Sequence, residues 1–165
     1  MDNLSHKKLY LLVLLSSLAI VVVSLGGGMF QQGGFWMDHW QHKAFRGICH
    51  QDPQRSFWLN GTPMAVCTRC FGIYSSFASA WLLFPLVMGQ LTKVMNFSKK
   101  VLIVALLLNV VDVLGNAVGF WQNTVLIRFT FGSLLGLSAV FVLSREFYKK
   151  TITNKGMSYG TTRTE

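Results

Sequence analysis

Residues 67–91 read CTRCFGIYSSFASAWLLFPLVMGQL, and they join a Cys-x-x-Cys pair to an uncharged apolar run. The run from Phe71 to Leu91 has no charged residue in 21 positions. A helix of about 20 residues is long enough to cross the hydrocarbon core of a bilayer. The segment therefore predicts a membrane-spanning helix that begins with two thiols.

Three more runs have the same composition and contain two charges between them, Asp112 and Arg128. Only 13% of the chain is charged, about half the share of a soluble domain. The sequence therefore predicts an all-α polytopic membrane protein with a single four-helix domain at 1–150. The polar tail, 151–165, is expected to be disordered and cytoplasmic. The predicted transmembrane helices span about 9–30, 67–91, 101–121 and 125–144.

The first apolar run has some features of a secretory signal peptide, because Lys7 and Lys8 precede it. It is longer than the apolar region of such a peptide, which has about 7–15 residues. No Ala-x-Ala cleavage site follows it. We therefore expect an uncleaved first transmembrane helix.

Lysine and arginine are divided unevenly between the two sides of the predicted bundle. With four spans, both termini lie on the same side of the membrane as the loop between spans two and three. That side has ten basic residues, and the other side has four. The positive-inside rule then places both termini in the cytoplasm and the loop 31–66 outside the cytoplasmic (inner) membrane. The net charge of +9 indicates attraction to anionic lipid, and the scattered basic residues give no support for nucleic-acid binding.

The outward loop begins with a segment of helical periodicity at 35–48 that is too short and too polar to span the membrane. It predicts a short interfacial helix with tryptophans at the headgroup level. The apolar face would consist of Trp36, Met37, Trp40, Ala44 and Ile48. The opposite face would consist of His39, His42, Lys43 and Arg46. The two histidines are expected either to be solvated or, at their i, i+3 spacing, to act as accessory metal ligands.

All three cysteines lie in this loop or at the start of the second span. On a helix, Cys67, Cys70 and Tyr74 share one face. The positive end of a helix favours the thiolate form of a cysteine, and Arg69 adds positive charge. Thiolates bind metals and attack disulfides, so the same electrostatics favour both chemistries.

The pattern Cys49-His50-Gln51, Arg55-Ser56-Phe57 and Cys67-x-Arg69-Cys70-x-Gly72-Ile73-Tyr74 resembles a family of small prokaryotic membrane proteins of unknown function. The resemblance covers roughly residues 45–140. It implies a membrane protein with an acidic residue in the third span and an Asn-x-x-x-x-Arg element with two glycines leading into the fourth. The matching residues here are Asp112, Asn123, Arg128, Gly132 and Gly136.

Three functions remain open for the cysteine segment. The first is a zinc site, since Cys49, His50, Cys67 and Cys70 form a four-ligand set used by structural zinc. His50 could instead support a ligand, with His39 or His42 in the fourth position.

The second is thiol–disulfide exchange by Cys67 and Cys70, with Cys49 as a resolving thiol and a quinone as electron acceptor. Arg69 or Arg128 would polarise the quinone oxygen. The third is a membrane scaffold without catalysis. No hydrolase triad order, phosphate loop or nucleotide motif is present in the sequence, which disfavours those classes of enzyme.

Polar residues inside the spans predict a supporting network. Asn109, Asp112 and Asn116 form one stripe on the third span, and a charge in the bilayer normally has a partner. We expect Asp112 to pair with Arg128, or to join a network through Asn116. Gly132 and Gly136 predict close helix packing, with a homo-oligomer as the alternative. The expected supporting residues are Asp112, Asn116, Arg128, Arg55, Arg69 and Tyr74.

Overall fold

The structure, a computed structural model, describes residues 2–30, 34–87 and 98–160 of the chain. Five α-helices and one small hairpin lie in these ranges: α1 (Asp2–Ser24), α2 (Trp40–Phe45), β1 (Trp58–Leu59), β2 (Thr62–Pro63), α3 (Thr68–Val87), α4 (Ser98–Ala117) and α5 (Val125–Gly160). The prediction of a mainly helical chain is confirmed. The two-residue strands depart from a purely α architecture, and they flank a turn in which Asn60 and Gly61 both have positive φ.

Three helices are long and apolar enough to cross a membrane: Lys7–Ser24 in α1, Lys99–Ala117 in α4 and Val125–Ser144 in α5. Between 11% and 28% of each segment is buried inside the protein. Most of their apolar side chains therefore face outward, as they do in helices surrounded by lipid. α3 is not one of these three over its described residues, and the end of the second predicted span, 88–91, lies outside them.

Helix α3 runs antiparallel to α1. At one end, the main-chain N–H of Ala65, just before α3, donates to the carbonyl of Ser24, the last residue of α1, at 3.1 Å. Toward the other end, the hydroxyl of Tyr10 donates to the carbonyl of Trp81 at 3.0 Å, and their rings stack. The end of α1 therefore lies beside the start of α3.

Helix α5 runs parallel to α3, and α4 runs antiparallel to both. A Cβ atom at Gly132 would collide with the Arg69 main chain, and one at Gly136 would collide with Ile73 one turn further along. On the other side of α5, the Asn109 amide of α4 donates to the carbonyl of Phe131 at 3.0 Å. The ends of α1 and α4 and the starts of α3 and α5 thus meet at one end of the bundle, here called the cysteine end.

The glycines on α5 serve the packing role that their spacing predicts. Both Gly132 and Gly136 lie against main-chain atoms of α3, and Gly72 of α3 lies equally close to the carbonyl of Phe129. Such an approach requires residues without a Cβ atom. These contacts occupy the face through which a homo-oligomer was predicted, so the glycines give an oligomer no support.

The first predicted span, 9–30, is wrong at its carboxyl end. α1 ends at Ser24, and Gly26 has a φ of +74°, a conformation that ends helices. A Cβ atom at Gly26 would come within 2.9 Å of the Ala65 nitrogen, and one at Gly28 would collide with the carbonyl of Leu59. These glycines therefore lie against the loop that precedes α3.

The predicted interfacial helix is shorter than its periodicity indicates. A 3₁₀ turn at Trp36–Asp38 is followed by the six-residue α2. The predicted solvated face is wrong for both histidines, since His39 is 6% and His42 is 2% exposed. Trp40, in contrast, is 56% exposed. The histidines face the protein because the glycines after α1 leave room for them, as contacts of Gly26 and Gly27 with their rings show.

At the carboxyl end of the chain, α5 continues to Gly160. It therefore extends into 151–165, the segment for which a disordered tail was predicted. The remaining residues, 161–165, lie outside the described part of the chain.

Candidate metal centre

Three cysteines meet at the cysteine end of the bundle. Cys49 follows α2, Cys67 immediately precedes α3, and Cys70 lies in the first turn of α3. Their sulfur atoms all lie within 4.8 Å of one another, and none of the three forms a disulfide. The loop between Cys49 and Cys67 thus folds back so that the lone thiol reaches the Cys-x-x-Cys pair.

Gln51 holds this loop in place. Its side-chain amide donates to the carbonyl of His42 at 2.7 Å and to the carbonyl of Ala65 at 2.8 Å. The residue has a φ of 54°, so the chain turns sharply two residues after Cys49. Gln51 therefore ties α2 to the segment before α3 and fixes Cys49 between them.

A hydrogen bond joins the two halves of the cysteine group. The main-chain N–H of Cys67 donates to the sulfur of Cys49 at 3.1 Å. This N–H belongs to the start of α3, where helix donors have no partner within the helix. The contact stabilises negative charge on the Cys49 sulfur, as does the positive end of the helix dipole.

The cysteine group borders a small apolar core. Cys49 is 6% exposed, and Ala65 and Val66 are fully buried beside it. Tyr74, predicted as a supporting residue, stacks on Phe45 at a ring distance of 6.1 Å and packs against the same cluster. This packing shields the sulfurs from water on the side that faces the bundle.

The protonation of the group is set by contacts among its members. The pKa of the Cys49 thiol is raised, first because its side chain shares a hydrogen bond with the side chain of Cys67, and also because it is buried; together these outweigh the contact with Cys70 and the main-chain donors, which lower the pKa. Crowding of three thiols favours loss of only some of their protons. A divalent cation would remove this restriction, because its charge favours the thiolate form of each ligand.

The histidines lie outside this group. His50 follows Cys49 directly, but its side chain is exposed and is not among the clustered ligand atoms. His39 and His42 are buried together, with ring centroids 6.1 Å apart. Burial, helped by the neighbouring His39, lowers the pKa of His42, so its imidazole is neutral at pH 7.

The predicted pairing of Asp112 with Arg128 is wrong. The Asp112 carboxylate instead forms an ion pair with Arg69 of α3 and accepts a hydrogen bond from the side chain of Asn123. Arg69 reaches Asp112 because α3 and α4 both pack against α5 at this end, an arrangement that hydropathy does not reveal. The ion pair connects the Cys-x-x-Cys turn directly to α4.

The other predicted supporting residues lie around this pair. Arg128 donates through Nε to the carbonyl of Asn123 at 3.3 Å. Arg55 pairs with Asp52 at 3.0 Å, and its carbonyl accepts from the Thr68 hydroxyl at the start of α3. The predicted network through Asn116 is wrong, since its side-chain nitrogen is buried without a hydrogen-bond partner among the described residues.

The donor set of the group suits a thiophilic metal ion. Zinc bonds to cysteine sulfur at about 2.3 Å, so tetrahedral ligands lie about 3.8 Å apart. Sulfurs already within 4.8 Å of one another reach that spacing through small side-chain rotations. The arrangement can therefore hold a metal ion with three sulfur ligands.

The fold and the site together define a membrane protein of apolar helices with a three-cysteine group at one end. The family model described as "Predicted membrane protein (DUF2085)" matches residues 49–142, more than half of the chain, and the chain belongs to this family. The resemblance drawn from the Cys-His-Gln and Cys-x-Arg-Cys motifs is thereby confirmed.

Two archaeal relatives have similar sequences. An uncharacterized protein of Methanocaldococcus jannaschii is 32% identical over 149 residues, which cover 87% of this chain and 95% of that protein. An uncharacterized protein of Methanothermobacter thermautotrophicus is 29% identical over 96 residues, which cover 56% of this chain and 81% of that protein. No solved structure matches the chain at a significant level.

Proposed function

We propose that this membrane protein binds zinc through Cys49, Cys67 and Cys70, and that its function depends on that centre. The grouping of the three sulfurs within 4.8 Å carries the proposal. It is supported by the main-chain donor to Cys49 and by the position of the other two cysteines at the start of α3. Three ligands from the protein and one open position are typical of catalytic or ligand-exchanging zinc sites.

Zinc is the metal that the donor set favours. Thiolate ligands select zinc, copper(I) or iron–sulfur clusters over magnesium and calcium. Iron–sulfur clusters ordinarily require four cysteine ligands, and this chain has three cysteines. His50 remains the nearest candidate for the fourth position in sequence, and a water molecule is the alternative.

The centre is proposed to lie at the extracytoplasmic side of the cytoplasmic membrane, in a bundle of four spans. The alternating directions of α1, α3, α4 and α5 fit four successive crossings. The ten-to-four distribution of basic residues favours cytoplasmic termini. A reporter enzyme active only outside the membrane, fused after residue 165, should be inactive; activity there would contradict this orientation.

The metal proposal is tested on purified full-length protein by elemental analysis and competition with a chromophoric chelator. We expect about one zinc per chain, lost in Cys67→Ser and retained in His50→Ala if water fills the fourth position. Loss of zinc in both variants would identify His50 as a ligand. Protein that binds no zinc, with all thiols reduced, would refute the proposal.

A thiol–disulfide oxidoreductase is the second candidate, because the Cys67 and Cys70 sulfurs are close enough to approach bonding distance. Their two thiols would lose two electrons and two protons to a quinone and form a disulfide. Zinc-free protein that loses two thiols per chain on addition of a quinone would favour this function. If the protein neither binds zinc nor is oxidised by a quinone, the remaining function is that of a membrane scaffold.

A further inference from the structure

Arg128 is a buried cation that lacks a carboxylate partner among the described residues. It lies in the first turn of α5, and the residue is only 8% exposed. Its Nε donates to the Asn123 carbonyl, but its two terminal nitrogens have no acceptor in the part of the chain that the structure describes. An arginine that is mostly buried and has no carboxylate partner is stabilised by a nearby anion. The site therefore favours an anion that the described chain does not supply.

Two more arginines surround Arg128. Arg69 is connected to it through Asp112 and Asn123, because the Asp112 carboxylate accepts from both Arg69 and the Asn123 side chain, and the Asn123 carbonyl accepts from Arg128. Arg55 lies at the same end, since its carbonyl accepts from the hydroxyl of Thr68, the neighbour of Arg69. Both are already paired with a carboxylate, Arg69 with Asp112 and Arg55 with Asp52. Three arginines and two carboxylates leave one positive charge in excess, and the arginine without a carboxylate partner is a buried residue.

An apolar groove begins at Arg69, one of these three arginines. Arg69 borders a cavity of about 270 Å³ between α3, α4 and α5. The rest of its lining is apolar apart from Asn109, and it includes Ile73, Val110 and Leu135. A soluble ion has no partner in such a groove, whereas a hydrocarbon chain does.

We propose that Arg55, Arg69 and Arg128 bind the phosphate group of a lipid whose acyl chain lies in this groove. Planar guanidinium groups match the geometry of phosphate oxygens, often with two parallel hydrogen bonds. Arg128 is three residues into α5, about 4.5 Å along the helix axis, a depth close to the lipid headgroups. The proposal does not depend on the metal, and it adds a second ligand at the cysteine end.

Native mass spectrometry of the full-length protein in detergent tests the proposal, with phosphatidylglycerol as the probe. Diacylglycerol, which lacks the phosphate, and inorganic phosphate, which lacks the chains, are the comparison ligands. We expect Arg128→Gln to weaken phosphatidylglycerol binding at least about tenfold, and Arg128→Lys to weaken it less. Arg46→Gln changes an exposed arginine of the loop that contains Arg55, and this variant should bind phosphatidylglycerol as the unchanged protein does.

Several results would overturn the proposal. Unchanged phosphatidylglycerol binding in Arg128→Gln would exclude the arginine cluster, and equal binding of diacylglycerol would exclude recognition of phosphate. Inorganic phosphate that binds as tightly as the lipid would assign the site to a soluble anion. If the Arg128→Gln protein loses zinc but still binds the lipid, Arg128 instead balances the negative charge of the thiolates. If Arg128→Gln does not fold, Arg55→Gln replaces it, with an expected loss of about threefold.

Discussion

Asp112→Asn removes the charge that pairs with Arg69 while it preserves the size of the side chain. The Asp112 side chain is 5% exposed and that of Arg69 is 18% exposed, so the ion pair is nearly dry. Breaking a buried pair costs about 3–5 kcal/mol because the remaining charge stays buried. In a chain of this length, about 2–4 °C of melting temperature corresponds to 1 kcal/mol. The melting temperature should therefore fall by roughly 6–20 °C.

Asp38→Asn is the matched control for this measurement. Asp38 pairs with Lys43 at 4.0 Å, and their side chains are 77% and 63% exposed. Such a surface pair contributes about 0–1 kcal/mol. Thermal unfolding of both variants is measured in the same detergent by circular dichroism. If Asp112→Asn melts within 2–3 °C of Asp38→Asn, about the resolution of such a comparison, the ion pair does not stabilise the bundle as inferred.

Three further changes test the environment of the cysteines. Gln51→Ala removes two hydrogen bonds, to His42 and Ala65, and should lower the free energy of unfolding, measured by chemical denaturation, by about 1–3 kcal/mol. Gln54→Ala changes an exposed residue, and an equal effect there would contradict the role of Gln51. Gly132→Ala should push α5 away from α3, since its Cβ would come within 3.1 Å of the Arg69 Cα and closer still to the Arg69 carbonyl. Zinc affinity should then fall about tenfold, and the free energy of unfolding should fall by about 1–3 kcal/mol. Gly47→Ala is the control, because its Cβ would meet open space and should change neither quantity. Zinc affinity should also rise about a hundredfold per pH unit between about pH 6 and pH 8, because the pKa values of Cys49 and Cys70 are both raised and each of these two thiols gives up a proton on binding. A flat profile by chelator competition would refute this.

The helical fold could be predicted because hydropathy acts locally. Long uncharged runs determine where helices form, so most of α4 and α5 coincides with predicted spans. The end of α1 could not be located in this way, because Gly26 and Gly28 are apolar by composition and their role depends on contact with a distant loop. Likewise, the burial of His39 and His42 could not be predicted, because their i, i+3 spacing is the same for a buried face as for a solvated one.

The cysteine group was predictable from residue type, since three thiols in an otherwise apolar chain have few other uses. The residues that hold the cysteine group in place could not be predicted in this way. Arg69 and Arg128 are the same type of residue at similar depths, so only the way in which α3 and α4 pack against α5 decides which one pairs with Asp112. Gln51 and Asn123 were part of the motifs that resemble the family, but their partners are main-chain or side-chain groups far along the chain. No spacing rule identifies such partners.

X-ray absorption spectroscopy at the zinc edge examines the proposed centre most directly. Purified protein loaded with one equivalent of zinc should show three sulfur neighbours at about 2.3 Å and one lighter atom at about 2.0–2.1 Å. Cys49→Ser should reduce the sulfur shell to two. A spectrum of nitrogen and oxygen neighbours alone would mean that zinc binds elsewhere and that the three clustered thiols do not form a metal centre.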